Sequence, residues 1–271
     1  MDKDLSIIVT SYKSPSVLKL CLEALQKNVL NENYEILVVD SATEEDTEML
    51  MREEFPEIKF FPSVKNLGFA KLVNCGLRNA QGRFILIINA DIIVGKTSVD
   101  CLVEYVKNNP DVGIAGPKLL NFDRRPQHSF FRFYRPSTIL FRRTFLGKFG
   151  FGKKTIDKFL MKDKDSTQII EPDWLMGSAL MTTRANTQKI GPMEESFFMY
   201  FEDVDWCRRF WENGLRIVYY PLVEMFHYHG RGSASQNALE AILFNKLTRV
   251  HIRSAIKYFL KYRGKPNPHR E

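Results

Sequence analysis

Along the first 120 positions the apolar residues switch repeatedly between two spacings. Leu5 to Val9 is a short β-rich run. Ser14-Pro15 then supplies an N-cap and a proline at the first helical position, and Val17, Leu18, Cys21, Leu22 and Leu25 follow at helical spacing. Ile36 to Val39 is a buried-strand candidate, and Thr43 with Asp46 three residues on resembles a capping box that opens a helix running to about Glu54. A third strand is expected around Ile58 to Phe61, and Asn66-Leu67-Gly68-Phe69-Ala70 leads into Leu72, Val73 and Leu77 with helical periodicity. Phe84 to Ile88 is a five-residue apolar run bounded by Gly82 and by Asn89-Ala90-Asp91. This alternation predicts an α/β fold with a parallel, doubly wound sheet. Ligands of such sheets bind beyond the carboxyl ends of the strands. Three polar clusters lie there: Thr10-Ser11-Tyr12, Asp40-Ser41 and Asn89-Ala90-Asp91.

The alternation breaks from Arg124 to about Lys164, where phenylalanines and tyrosines interleave with arginines and lysines. That stretch reads as a partly helical excursion. Order returns at Ile169 to Thr183, a helix is expected to start near Glu202-Asp203, and a strand follows Gly214 at Arg216 to Tyr220. From Ala238 to Tyr262 the apolar residues, Leu239 to Leu260, form one broad helical stripe with basic residues between them, ended by Gly264 and Pro266. The expected organisation is therefore a nucleotide-binding half over 1–120, a second half over 121–235 that carries the excursion at 124–164, and a basic amphipathic helix in 236–271.

Composition changes this picture only through charge. The 271 residues carry a formal net charge of +7, which invites a nucleic-acid reading. Arg124 to Lys158 holds ten Lys/Arg and one Asp, and Lys246 to Glu271 holds eight Lys/Arg and one Glu, so the two segments carry +9 and +7 and the remainder carries −9. An acidic body with two basic segments should meet anionic partners at those segments. Cys21, Cys75, Cys101 and Cys207 form neither a CxxC pair nor a zinc pattern, which favours reduced thiols. No apolar run approaches the ~20 residues of a spanning helix and the N-terminus resembles no signal peptide. A cytoplasmic protein, peripheral at the inner face of the plasma membrane, is the expectation.

Neither G-x-G-x-x-G after the first strand nor G-x-x-x-x-G-K-[ST] occurs, which argues against dinucleotide oxidoreductases and P-loop NTPases. A phosphate ligand would then need a divalent cation held by carboxylates. Asp91 suits that task, or is a turn residue; Asp40 could accept the imide N–H of a pyrimidine, or cap the next helix. Glu202-Asp203-Val204-Asp205 follows the aromatic run Phe197 to Phe201. Carboxylates beside apolar walls acquire raised pKa values suited to a general base, although acids at a helix N-terminus also complement its dipole. His227 and His229 share one face of a strand-like run, and Arg231 in the adjoining Gly230-Arg231-Gly232-Ser233 loop could neutralise a phosphate.

Taken in order, these segments resemble the family 2 glycosyltransferases. The resemblance runs from Ser6-Ile7-Ile8-Val9-Thr10-Ser11-Tyr12 through Val38-Val39-Asp40-Ser41, Asn66-Leu67-Gly68-Phe69-Ala70 with Asn74 and Gly76, and Ile88-Asn89-Ala90-Asp91. It continues in Trp174-Leu175-Met176-Gly177-Ser178 and Phe201-Glu202-Asp203-Val204-Asp205, and closes at His227 with Gly230 and Ser233. Each piece is weak and the ordered set is specific. Within the family the pattern is most similar to rhamnosyltransferase-like enzymes of bacterial surface polysaccharide assembly.

The resemblance implies a GT-A fold with a mixed second half, a nucleotide-diphosphate sugar donor, either dTDP-rhamnose or a UDP-sugar, and inversion at the anomeric carbon. By position, Thr10, Ser11, Tyr12, Asp40 and Ser41 would hold the nucleoside, with Asn66 and Gly68 near the ribose or phosphate. Asn89, Ala90 and Asp91 stand where the family has its DxD motif. Asn89 replaces the first acid, so Asp91 would be that motif's one carboxylate on Mn²⁺ or Mg²⁺, and weaker metal binding is implied. His227, favoured over His229, would join the metal, and Arg231 would assist the diphosphate. Asp203 would be the catalytic base with Glu202 its rival. Trp174, Gly177 and Ser178 would shape the sugar and acceptor side, toward a saccharide or a polyprenyl-pyrophosphate-linked acceptor. A sugar-phosphate nucleotidyltransferase is the alternative, although Thr10 to Pro15 lacks the glycine-rich basic loop such enzymes resemble. A nucleic-acid-binding module using 124–158 is set aside, because it leaves the acidic clusters without a role.

Overall fold

The computed structural model describes residues 3–29, 33–228 and 246–269. Its centre is a mixed nine-stranded sheet. Strands β1 (Leu5–Tyr12), β2 (Tyr34–Ser41), β3 (Lys59–Phe61) and β4 (Phe84–Asn89) are mutually parallel in the order β3-β2-β1-β4. Their connections run through α1 (Pro15–Asn28), α2 (Glu45–Glu53) and α3 (Phe69–Asn79). Both faces of this half are covered, which is why its strands read as near-continuous apolar runs. Period-2 alternation still sorts the side chains. Leu5, Ile7 and Val9 enter one core with Leu18, Leu22 and Leu25 of α1, and Ile8 enters the opposite core with Val73 of α3.

Beyond β4 the sheet continues with β5 (Ile92–Val94), α4 (Ser98–Asn108), β6 (Val112–Leu120), β7 (Pro126–Gln127) and later β10 (Ala179–Thr183) and β11 (Arg216–His227). The order here is β4-β10-β6-β11-β5, with β7 beside β6. β10 runs antiparallel to both neighbours and β5 antiparallel to β11, so the parallel pattern of the first half does not extend across the sheet. A separate ribbon pairs β8 (Phe130–Phe131) with β9 (Trp174–Leu175).

The basic aromatic stretch is indeed a partly helical excursion: α5 (Pro136–Arg143), a 3₁₀ turn at Phe145–Lys148 and α6 (Gly150–Phe159). α7 (Arg184–Ile190), α8 (Glu202–Glu212) and α9 (Lys246–Lys261) complete the described residues. α9 is built into the second core, where Ala255, Tyr258 and Tyr262 pack with Phe201 and Phe210. Positions 238–245 of the expected C-terminal helix lie outside the described residues. The four cysteines are free thiols.

Two expected helix caps are corrected. Ser14 does precede α1, but its hydroxyl donates to the Tyr12 carbonyl at 3.1 Å and caps no N–H. Thr43 lies outside α2, whose N-cap is Glu44, and its Oγ1 accepts from the Ser63 backbone at 3.0 Å. In both cases the hydroxyl serves the loop at the carboxyl edge of the sheet, where a nearby backbone group competes with the helix end.

Candidate active site

Register assembles the first part of the site. In the parallel ladders Thr10 stands beside Asn89, Ser11 beside Asp40 and Tyr12 beside Ser41. The three polar clusters are thus the last rungs of adjacent strands. Thr10 Oγ1 donates to Asn89 Oδ1 at 3.0 Å, and the Ala90 N–H donates to the Thr10 carbonyl at 2.9 Å, which fixes the turn that presents Asp91.

Asp40 is 0% exposed, and neither of its carboxylate oxygens has a hydrogen-bond partner in the protein. The Ser11 hydroxyl is likewise buried without a partner. Leaving buried acceptors unmet costs about 1–3 kcal/mol each, more for a charge, so such a pair calls for a ligand donor. Tyr12 beside them is exposed. Ser41 is differently employed: its Oγ accepts from the Leu67 N–H at 2.7 Å and donates to the Lys65 carbonyl at 3.3 Å, so it fastens the Asn66–Gly68 loop. Asn66 Oδ1 in turn accepts from the Gly68 N–H at 3.1 Å. Gly68 has φ +78°, and a Cβ there would lie 2.2 Å from the Phe198 carbonyl oxygen. Its glycine identity is explained by this close approach of the 197–201 loop.

Asp91 meets His227 across the β5–β11 edge. Asp91 Oδ1 is buried, lacks a hydrogen-bond partner and lies 3.4 Å from His227 Nε2. The other histidine nitrogen, Nδ1, is 2.7 Å from Gln127 Oε1. Gln127 Nε2 donates to Asn121 Oδ1 and to the His227 carbonyl, so the network assigns Gln127 Oε1 as acceptor and His227 Nδ1 as donor. With Nδ1 turned to Gln127, Nε2 is the ring nitrogen that faces the Asp91 carboxylate. A backing hydrogen bond on the far ring nitrogen is the usual support of a metal-ligating histidine. The donor set therefore fits a divalent metal. Among the described residues no third His, Cys, Asp or Glu joins them. Gln127 was invisible to sequence reasoning, since it lies 100 residues from His227 and carries no motif. His229 and Arg231 lie outside the described residues.

The candidate catalytic carboxylates stand at the N-terminus of α8. Tyr200 and Phe201 both adopt positive φ, +68° and +72°, and this pair of left-handed residues turns the chain into the helix. Such φ values in bulky residues cost of order 1–3 kcal/mol each and are typical of functional sites. Asp203 Oδ2 accepts from the Gly177 N–H at 3.1 Å and Oδ1 from its neighbour Val204 N–H at 2.9 Å. Burial nevertheless raises its pKa from 3.8 to about 6 against the opposing effect of those two N–H donors. Glu202 is buried more deeply, leaves Oε2 unpartnered and is pushed well above the carboxylate range, first by burial and then by Asp203. Asp205 is structural: it receives Arg209, Lys261 and the Tyr262 hydroxyl.

Gly177 and Ser178 join the two halves. The Gly177 N–H holds Asp203, and the next residue's carbonyl, Ser178, accepts from the Asn89 N–H at 3.1 Å. A Cβ on Gly177 would meet the Phe69 ring at 2.9 Å. Trp174 is buried, stacked on Phe131 with centroids 4.4 Å apart, and its indole N–H donates to the Arg132 carbonyl at 2.9 Å. It braces the wall of the site from behind instead of lining an open surface. Tyr134, Arg142, Arg143 and His251, which gather near this wall, were not singled out as site residues by the sequence.

The family model described as glycosyl transferase family 2 matches residues 6–207. The chain belongs to this family. It is 24% identical over 237 residues to N-acetylglucosaminyl-diphospho-decaprenol L-rhamnosyltransferase of Mycobacterium tuberculosis, covering 80% of this chain and 74% of that protein. It is 25% identical over 266 residues to rhamnosyltransferase WbbL of Escherichia coli, covering 95% and 93%. Among solved structures it is similar to GalNAc-T7 crystallised with UDP, GalNAc and Mn²⁺, with a TM-score of 0.64 and 15% identity over 91% of this chain, which spans only 49% of that one. A mannosyltransferase from Pyrobaculum calidifontis in complex with GDP-Man and Mn²⁺ gives a TM-score of 0.56 at 14% identity, over 98% of this chain and 76% of that one. The fold is that of the GT-A glycosyltransferases and the protein is a glycosyltransferase. Nothing in these comparisons supports the nucleotidyltransferase alternative.

Proposed function

We propose that this family 2 enzyme transfers a sugar, with inversion, from a pyrimidine nucleotide-diphosphate donor to a saccharide or polyprenyl-diphosphate-linked acceptor of a surface polysaccharide. dTDP-rhamnose or a UDP-sugar is the donor. The observation that carries this reading is the Gly177-Ser178 bridge, which ties Asp203 to the Asn89-Ala90-Asp91 turn through two hydrogen bonds of 3.1 Å each, one from the Gly177 N–H to the Asp203 carboxylate and one from the Asn89 N–H to the Ser178 carbonyl. A base at the N-terminus of α8 and a cation-ready acid at the edge of the sheet are thus tied together. The names of the two rhamnosyltransferase relatives support rhamnose as the sugar, and that of the first supports a polyprenyl-diphosphate-linked acceptor.

Asp40 and Ser11 accept from and donate to the base of the nucleoside, and Tyr12 offers an aromatic face beside them. Asp91 and His227 hold Mn²⁺ or Mg²⁺, which when bound supplies Lewis acidity that stabilises charge on the departing diphosphate. Asp203 takes the proton of the acceptor hydroxyl. As that O–H bond breaks, the oxygen forms its bond to the anomeric carbon, and the bond from that carbon to the donor diphosphate breaks on the opposite face. Its electron pair leaves with the nucleoside diphosphate. Asp203 is favoured over Glu202 because it is the less buried of the two and is held by the Gly177 N–H, whereas Glu202 leaves Oε2 buried without a partner. The basic segments at 124–164 and 246–269 serve peripheral contact with an anionic membrane. Phe145, Phe149 and Phe151 are 71%, 67% and 73% exposed among those cations, as interfacial anchors are. No helix among the described residues is long and apolar enough to cross a membrane.

Calorimetry of UDP and dTDP tests the donor half. Binding of one of them in Mn²⁺ should weaken at least tenfold on adding EDTA, and equally in Asp91→Ala. Affinity indifferent to both changes would contradict the reading.

A further inference from the structure

β6 and β11 run parallel, and their last rung sets Leu120 beside Phe226. The chain then turns back through residues 121–125 into β7, where Gln127 pairs with Leu119. The Asn121 N–H and its side-chain Nδ2 both donate to the Arg125 carbonyl, at 2.9 and 3.0 Å, and Arg124 takes a φ of +63° within the turn. This hairpin grips the end of β11 at two points. The Phe122 ring lies 6.1 Å from that of Phe226 and 5.9 Å from that of Tyr228, the two residues that flank His227. Gln127 meets His227 itself: His227 Nδ1 donates to Gln127 Oε1 at 2.7 Å, and Gln127 Nε2 donates to the His227 carbonyl at 2.9 Å. The same Nε2 donates to Asn121 Oδ1 at 2.8 Å, which ties the amide to the start of the turn.

An amide both accepts and donates, so Gln127 holds the ring of His227 and its main chain at once. A carboxylate in its place could hold only the ring. A ring that donates from Nδ1 can offer a metal only Nε2, and Nε2 is the nitrogen 3.4 Å from Asp91 Oδ1. Asp91 is fastened to the same stretch of chain, because its carbonyl accepts from the Tyr228 N–H at 2.8 Å. Without Gln127 the imidazole could turn about its Cβ–Cγ bond, whose torsion is intrinsically broad, and present either nitrogen.

We propose that Gln127 is a positioning residue of the metal site: it fixes which nitrogen of His227 faces Asp91, and through it the β6–β7 hairpin sets the affinity for the cation. This rests on the reading of Asp91 and His227 as metal ligands. With Asn89 in place of an acid two residues before Asp91, the orientation of His227 counts for more in holding the ion. Removing such a backing partner typically costs about ten- to a hundredfold in metal affinity.

Gln127→Met keeps the length of the side chain and loses its hydrogen bonds, whereas Gln127→Glu keeps an acceptor for Nδ1. The affinity for UDP or dTDP, whichever the wild type binds, is measured at increasing Mn²⁺, and the Mn²⁺ concentration that gives half of the metal-dependent gain is read. That concentration should rise at least tenfold in Gln127→Met and stay within about threefold of the wild type in Gln127→Glu. Both variants should bind the nucleotide in EDTA as the wild type does, which reports that they are folded. An unchanged midpoint in Gln127→Met, or equal losses in Gln127→Met and Gln127→Glu, would overturn the proposal and leave the metal site standing. A wild type without any metal-dependent gain would remove the metal reading and this role with it.

Discussion

Glu202 and Asp203 are neighbours that differ in burial, and on the proposed function that difference favours Asp203 as the base. Asp203 keeps two backbone N–H donors and some exposure, while Glu202 keeps an unmet oxygen in the core. Because the folded Asp203 titrates near 6 and the unfolded one near 3.8, the folded protein binds more protons across that window. Stability must then fall as pH rises from about 4 through 6, with Glu202 adding in the same direction. Activity must do the reverse, since a base works only when deprotonated. We expect kcat/KM to decline below about pH 6 while the melting temperature rises over the same range, measured by initial rates and by thermal denaturation in matched buffers. Parallel rise or fall of both would contradict this assignment. The sequence showed that three acids met an aromatic run, but which acid sits dry and which is held by Gly177 depends on a partner 26 residues away.

At the scale of elements, the strands of the first half were legible because both faces are buried and their apolar runs are uninterrupted. β1 and β2 extend two or three residues beyond those runs, since Thr10, Ser11, Tyr12, Asp40 and Ser41 pair in register although they are polar. Local apolar pattern cannot report such pairing, which is set by the neighbouring strand. The antiparallel β10 in a largely parallel sheet and the two-residue β8–β9 ribbon were hidden for the same reason. The C-terminal helix was expected as a basic amphipathic segment, and its Ala255 and Tyr258 pack into the second core together with Tyr262 just beyond it. Asp205, fully buried, joins it to α8 by accepting from Lys261 at 2.6 Å and the Tyr262 hydroxyl at 2.8 Å, while Arg209 holds its other oxygen at 3.0 Å. Removing one partner of a buried ionic network typically costs about 3–5 kcal/mol. Asp205→Ala should therefore lower the urea midpoint markedly without altering the slope, and Asp205→Asn should lower it less. A midpoint within error of the wild type would show that apolar packing alone seats α9.

For the whole molecule, the net charge of +7 is a sum of unlike parts. On the proposed function the carboxylates of the donor edge lie in the acidic body, and the cations lie in the excursion and α9. Flotation with vesicles should show binding to anionic but not to neutral lipid, weakening with salt as exposed charges are screened. Phe149→Ser with Phe151→Ser should reduce it further at fixed charge. Equal flotation with both lipids would detach the basic segments from any membrane role. The central claim concerns chemistry at one carboxylate, Asp203 at the N-terminus of α8. Its most direct measurement is transfer of labelled sugar from dTDP-rhamnose and UDP-sugars to a lipid diphosphate acceptor, comparing the wild type with Asp203→Asn. The account predicts transfer with inversion by the wild type, a loss of at least a thousandfold in the variant and nearly unchanged nucleotide affinity. Comparable turnover by Asp203→Asn would contradict it.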